Sequence, residues 1–503
     1  MRLLKRIFGR GALTVTLLIL QLLLIFLPLA FAQQVFWPVQ VASYALGFIL
    51  AVYILNRKEY PEFKIPWLIL TFLVPFFAAM VYAFLAHPKP KKSDIRFLNE
   101  VNARVSEYLP KSNQDGAKEY AGASLYISGT SRLHGYSDSK IDYFPTGEAF
   151  WKDLLSELEK AEKFIFMEYF VLANGVMWEE IYKILKEKAS KGVEVRVLYD
   201  DIGSLKTLKS NFYKKVRKDG INCYKFNPFR FILSGIYNNR DHRKITVIDG
   251  KVCYTGGANV ADEYINVKTR FGYWKDSSVK IQGAAVANFT ALFLMLFDTT
   301  AKKLSYYPKY FEAENQVFSD CGYVHPFGDG PRPYYSEQIS ENNYLNLINA
   351  AKNYVYISTP YLICDYTIIT ALRNAAQRGI DVRIIIPAIP DKKTIYAMTR
   401  SLVPHLLEAG VKIYKYNPGF IHSKMLLSDD CAAYVGTANL DYRSFVHHYE
   451  CGAAFFYAPA IKDVKADFEG ILKVSSEITS ENFKMSKAAR AVSSIISLFS
   501  PML

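Results

Sequence analysis

The stretch His242-Arg-Lys-Ile-Thr-Val-Ile-Asp249, with Gly256-Gly-Ala-Asn259 after it, recurs in the same chain as His422-Ser-Lys-Met-Leu-Leu-Ser-Asp429 with Gly436-Thr-Ala-Asn439. Both copies read H-x-K-x4-D-x6-G-[GT]-A-N. Outward from each copy the surroundings match as well. Before the first lie a strand-like run, Phe164-Ile-Phe-Met-Glu-Tyr-Phe170, a helical stretch to Lys191, Gly192 and a second apolar run, Val193-Glu-Val-Arg-Val-Leu-Tyr199. Before the second lie Tyr354-Val-Tyr-Ile-Ser-Thr-Pro-Tyr361, a helical stretch to Arg378, Gly379 and Val382-Arg-Ile-Ile-Ile386. Each series continues through another helix and a glycine, Gly220 or Gly410, to a short strand ending in Asn227-Pro228 or Asn417-Pro418. Strands alternating with helices predict βαβ units on a largely parallel or mixed sheet. Strands apolar along their whole length predict a sheet covered on both faces. The fold class is therefore α/β, in two pseudo-symmetric halves.

The spacing inside the motif has a chemical meaning. On a strand, residues i and i+2 share a face, so the His and Lys of each copy are predicted to point together, with the Gly-x-x-Asn turn bringing an amide close by. Two such units facing each other would surround one cavity with two imidazoles, two ammonium groups and two amides. That set suits a phosphodiester: lysine and asparagine hold the non-bridging oxygens. One imidazole attacks phosphorus while the other protonates the leaving alkoxide. Histidine suits both roles because its ordinary pKa lies near neutrality. A metal role is disfavoured, since a lysine beside each histidine repels a cation and no carboxylate cluster completes a ligand set. No cofactor is implied. His87, His134, His325 and His405 are expected to be structural. His447 and His448, which lack counterparts in the first half, are expected to belong to local structure.

The remaining chain supplies context. It has 503 residues, 51% hydrophobic and 15% aromatic, which excludes disorder and allows a large core. The formal net charge of +14 implies an anionic partner, either nucleic acid or acidic lipid. The six cysteines show neither C-x-x-C pairs nor zinc-finger spacing, so they are read as scattered buried thiols. Near the N-terminus, Gly11–Phe31, Val35–Leu55 and Trp67–Ala86 are uncharged apolar runs, each of about the 20 residues that span a bilayer. For the first, Ala30-Phe31-Ala32 fits a cleavage site, whereas the length of the apolar run favours an uncleaved anchor. Charge signals for orientation oppose each other: Arg2, Lys5, Arg6 and Arg10 place the N-terminus inside, and Lys89, Lys91, Lys92 and Arg96 argue for inside after the third run. The expected organisation is a membrane region at 1–90 with about three transmembrane helices, a first half at 91–300, a linker at 301–340, a second half at 341–485 and an amphipathic C-terminal helix at 486–503. In that helix Val492, Ile495, Ile496 and Phe499 follow i, i+3, i+4, i+7 spacing; an interfacial helix and a core-packing one are equally compatible with it.

The paired motifs resemble the signature of the phospholipase D superfamily, whose members work through a phosphohistidine without metal, and within it the bacterial cardiolipin synthases. Gly436-Thr-Ala-Asn-Leu-Asp-Tyr-Arg-Ser444 with Glu450, and Thr359-Pro-Tyr361, add to the likeness. The resemblance implies two phospholipase D-like α-β-α halves forming one catalytic unit. It implies that His242, Lys244, His422 and Lys424 are catalytic, with Asp249 and Asp429 completing the signature chiefly through local structure. Asn259 and Asn439 would assist at the phosphate, and Asp276 and Glu450 would orient the imidazoles. His242 would be the nucleophile and His422 the acid, although the pseudo-symmetry also admits the reverse. The implied reaction condenses two phosphatidylglycerol molecules to cardiolipin and glycerol. The implied partners are these lipids and an anionic membrane, with no nucleic acid; oligomeric state is not implied. Phospholipase D hydrolysis, or transfer to serine, is the nearest alternative, followed by a membrane-anchored nuclease.

Overall fold

The computed structural model describes residues 37–502 apart from 87–89, 113–115, 230–234 and 313–315. The apolar run Gly11–Phe31 and His87 lie outside the described residues. The chain forms two compact units, one of residues 91–228 with 239–497 and the other of residues up to 90 with 229–238 and 498–503.

The larger unit holds both halves. The first is a seven-stranded sheet in the order 140–144, 278–282, 252–256, 244–248, 164–169, 194–200, 222–226. The second repeats that order with 323–329, 448–456, 432–436, 425–428, 354–358, 381–387, 412–416 and adds an edge strand at 475–478. In each, the strand opening the βαβ series pairs parallel with its successor and antiparallel with the motif strand. The sheets are thus mixed, as predicted. The segment expected as a linker, 301–340, is not only a connection: its strand Tyr323–Asp329 forms the edge of the second sheet by pairing antiparallel with 450–456. A connecting run contributes a strand here because both its faces have apolar residues to bury, Tyr323 and Phe327 on one and Val324 on the other.

Alternation along the strands sorts residues between two layers. Phe164 and Phe166 join a core shared with Met425, Leu427 and Phe455 of the second half, whereas Ile165 and Met167 face an outer core with Phe150, Leu154, Met177 and Ile181. The helix Val286–Ala301 is buried from Val286 to Asp298, apolar on nearly all sides, and lies in the shared core.

In the smaller unit, helix Trp37–Leu55 follows the second predicted run. The third run, Trp67–Ala86, is not one helix. It divides between Pro61–Leu73 and Pro75–Leu85, with Val74 at φ −143° and ψ 73°. Proline disfavours the helical conformation in the residue before it and brings no N–H of its own, so the helix stops and restarts at Pro75. Among the described residues no helix is long and apolar enough to cross a membrane. Gly47 sits where a Cβ would come within 2.8 Å of the Pro75 side chain, so glycine lets the two helices meet.

Candidate active site

Each motif histidine sits just ahead of its strand, His242 before Lys244–Ile248 and His422 before Met425–Ser428. What fixes them comes from the opposite half. Arg240–Asp241 pairs parallel with His448–Tyr449, and Gly419–Ile421 pairs parallel with Tyr273–Lys275. These short ladders end in matching backbone bonds: His242 N–H donates to Tyr449 O at 2.9 Å, and His422 N–H to Lys275 O at 2.7 Å. Each ladder therefore brings a histidine beside a carboxylate one residue further on in the other half.

The result is a crossed pair of dyads. His242 Nδ1 lies 2.9 Å from both oxygens of Glu450, and His422 Nδ1 lies 2.7 Å from Asp276 Oδ2. Both carboxylates are completely buried. With Nδ1 of each ring held in this way, Nε2 is the nitrogen left for chemistry. Lys244 Nζ donates to His242 O at 2.5 Å, while Lys424 Nζ donates to His422 O and stands 2.8 Å from His422 Nδ1. Position 257 has no room for a side chain, because a Cβ on Gly257 would come within 2.0 Å of Asp276 Oδ1. The equivalent residue, Thr437, uses its hydroxyl to donate to Glu450 Oε2 at 2.5 Å.

The electrostatics follow from burial. Desolvation, then the ammonium groups of Lys244 and Lys424, push His242 well below its ordinary value. Desolvation followed by Lys424 lowers His422 to about 4. Desolvation also lowers Lys244 to about 8 and Lys424 to about 7. Burial works against ionised Asp276, yet His422 and Lys424 hold its carboxyl below the usual range. Burial thus disfavours the charged forms of both imidazoles and both lysines, and an anion placed among them favours protonation of all four.

The other predicted residues fall into two groups. Asp249 accepts from the backbone N–H groups of Glu162, Lys163 and Phe164 at 2.7–2.8 Å, and Asp429 accepts from those of Lys352, Asn353 and Tyr354 at 2.6–2.8 Å. Both sit at φ 53°, turning the chain after the motif strand. Their carboxylates pin the start of a neighbouring strand, with backbone N–H groups as their partners. Asn259 accepts from Val171 N–H and donates to Tyr264 OH, and Asn439 donates to Asp441. Each Nδ2 carries two hydrogens, so each keeps one N–H beyond these bonds.

His448, expected to belong to local structure, lies beside the first dyad. Its ring centroid is 5.3 Å from that of His242, and its Nδ1 is 3.6 Å from Glu450 Oε1. His242, His448 and Glu450 together place one ligand atom each within 4.8 Å, a grouping that the sequence, which offered no complete ligand set, did not reveal. The donor set fits a cation poorly, since Lys244 and Lys424 act on the same imidazole. In the first half the place of His448 is taken by Trp274, whose ring lies 5.3 Å from that of His422. Phe170 packs edge-on against His242 at 5.0 Å. His325 is a buried structural residue, between Ser124 and Leu133 O, as expected.

The family described as cardiolipin synthase, PLD-like domain, matches residues 154–285 and again 344–472, one match in each half. A Streptococcus mutans protein is 43% identical over 396 residues, covering 78% of this chain and 85% of its own. A cardiolipin synthase of Geobacillus sp. is 34% identical over 461 residues, covering 89% and 90%. A solved structure of phosphatidylserine synthase from Haemophilus influenzae Rd KW20 superimposes with a TM-score of 0.57 over 76% of this chain and 98% of that one, at 15% identity. At that identity the likeness shows a shared fold.

Proposed function

The chain belongs to the cardiolipin synthase, PLD-like domain family, and on that footing we propose that it is a phosphatidyltransferase condensing two phosphatidylglycerol molecules to cardiolipin and glycerol. The observation that carries the reading is the crossed dyad pair, in which His242 leans on Glu450 and His422 on Asp276.

In the first step, Nε2 of one histidine attacks phosphorus and the P–O bond to the glycerol headgroup breaks. The second histidine gives its proton to the departing alkoxide, releasing glycerol and leaving a phosphatidyl-histidine. In the second step the primary hydroxyl of another phosphatidylglycerol attacks phosphorus, its proton passes to the second histidine, and the P–N bond breaks. Lys244 and Lys424 neutralise the non-bridging oxygens throughout, and the free N–H of Asn259 and Asn439 adds hydrogen bonds. Incoming negative charge also reverses the depression of the imidazole pKa, so the acid becomes protonatable when substrate is bound. His242 is the nucleophile in this reading. The asymmetry between Glu450 with Thr437 and Asp276 with Gly257 makes the two imidazoles inequivalent.

The enzyme works on a membrane. Phe48, Ile49, Phe72 and Leu73 are each more than 60% exposed in the smaller unit, an apolar surface that suits lipid better than water. The N-terminal region is the anchor, and its apolar runs make it a multi-pass one. Resistance of the protein to alkaline extraction from membranes tests the anchor.

Purified enzyme with labelled phosphatidylglycerol tests the reaction. Cardiolipin and glycerol are expected in equal amounts; phosphatidic acid as the sole lipid product would make the enzyme a hydrolase.

A further inference from the structure

The C-terminal helix Lys487–Ser497 packs against the protein the wrong way round for a soluble helix. Ser493 is buried at 4% exposure, whereas Val492 and Ile495 are 54% and 59% exposed. A helix of a water-soluble domain buries its apolar stripe and shows its polar one. Here Ser493 faces the domain with Ile496 partly buried on the same side, whereas Val492 and Ile495 of the apolar stripe face outward.

Beside Ser493 and Ser494, between this helix and helix Lys393–Leu407, lies a cavity of about 420 Å3. Arg400, Ser401, Arg490, Ser493 and Ser494 line it, together with Phe483. Its charge is unbalanced towards positive. The Arg400 guanidinium donates to the backbone oxygen of Lys484 and lies over the face of Phe483, and Lys415 is close enough to Arg400 to be lowered by burial and then by its charge. Among the described residues no ion pair engages Arg400, Arg490 or Lys415. Glu408 and His405 also line the cavity, and both are exposed.

We infer that this helix lies in the lipid interface and that the arginine-lined cavity seats the phosphate of an anionic phospholipid, a second lipid site apart from the histidine pair. An interfacial helix sinks its apolar face roughly 5–10 Å into the boundary of headgroup and acyl chain. At that depth its polar side, with Arg490 and the cavity mouth, lies level with the phosphates. Two guanidiniums then take the non-bridging oxygens in forked hydrogen bonds, with the serine hydroxyls as further donors. The acyl chains of the seated lipid run beside Val492 and Ile495. The inference rests on the membrane reading above but not on the transfer chemistry.

The test uses full-length protein in phosphatidylcholine nanodiscs containing a small fraction of photoactivatable phosphatidic acid, with cross-links mapped by mass spectrometry. Labelling is expected within residues 480–497, and it should fall about tenfold or more in Arg400→Gln/Arg490→Gln, given the attraction that each basic residue contributes near a charged membrane. Arg490→Gln alone, at an exposed position, should give part of that loss with the melting temperature unchanged. His422→Ala should label like the native protein, which separates failure here from failure of the catalytic reading. Equal labelling by a phosphatidylcholine probe, unchanged labelling in the arginine variants, or complete competition by millimolar inorganic phosphate would each overturn the assignment. No labelling of the segment at all would leave the exposed stripe to a protein partner and overturn it too.

Discussion

Asp276, from the first half of the chain, holds Nδ1 of His422, from the second half, at 2.7 Å. Glu450 returns the arrangement to His242. Neither half alone contains an oriented imidazole, so the active unit needs both.

Replacing Asp276 with Asn keeps the shape and removes the charge that fixes the imidazole tautomer. The kcat on phosphatidylglycerol should fall about 100-fold or more, with little change in thermal stability. Glu450→Gln should behave alike. A loss of less than about threefold in either would show that the dyad does not orient the ring.

His242→Ala and His422→Ala should each abolish turnover. Acid quenching with phosphorus-labelled phosphatidylglycerol tells their roles apart. Protein-bound label should be absent in the nucleophile variant and present in the acid variant given a substrate with a better leaving group. The expected order is none in His242→Ala and retained label in His422→Ala; the opposite pattern would exchange the two roles.

The lysines set the pH dependence. In the free enzyme Lys424 lies at about 7 and Lys244 at about 8, and an anionic substrate binds their protonated forms. As pH rises through 7 to 8 the free site loses those protons, so binding has to restore them. The kcat/KM should therefore fall across that interval, while kcat at saturation falls less because bound phosphate raises both lysines. A kcat/KM that stays flat from pH 6.5 to 9 would contradict the assignment.

Asp249→Ala and Asp429→Ala test structure against chemistry. Each leaves three backbone N–H groups without their charged acceptor, at a cost of about 2–4 kcal/mol in stability. Activity per folded molecule at low temperature should remain close to native. A collapse of kcat without a fall in melting temperature would return these residues to the reaction.

Chelators probe the grouping of His242, His448 and Glu450. With two ammonium groups at the same site, the rate should survive removal of all divalent metal. Strict metal dependence would make those three residues ligands.

The duplicated H-x-K-x4-D-x6-G-[GT]-A-N motif, its spacing and its βαβ surroundings determined the α/β class, the two halves and the four residues His242, Lys244, His422 and Lys424, because strand and helix periodicity are local properties of the chain. The same local logic, an odd offset from the histidine, is why Asp249 and Asp429 are expected to act through local structure. The crossing of the dyads is another matter. It depends on two short parallel ladders, Arg240–Asp241 with His448–Tyr449 and Gly419–Ile421 with Tyr273–Lys275, between segments far apart in sequence. No periodicity encodes a partner at that distance. For the same reason the approach of His448 to His242, the strand at Tyr323–Asp329 and the outward turn of Val492 and Ile495 emerged only from packing, where a residue's neighbours are chosen by which surfaces can be buried together.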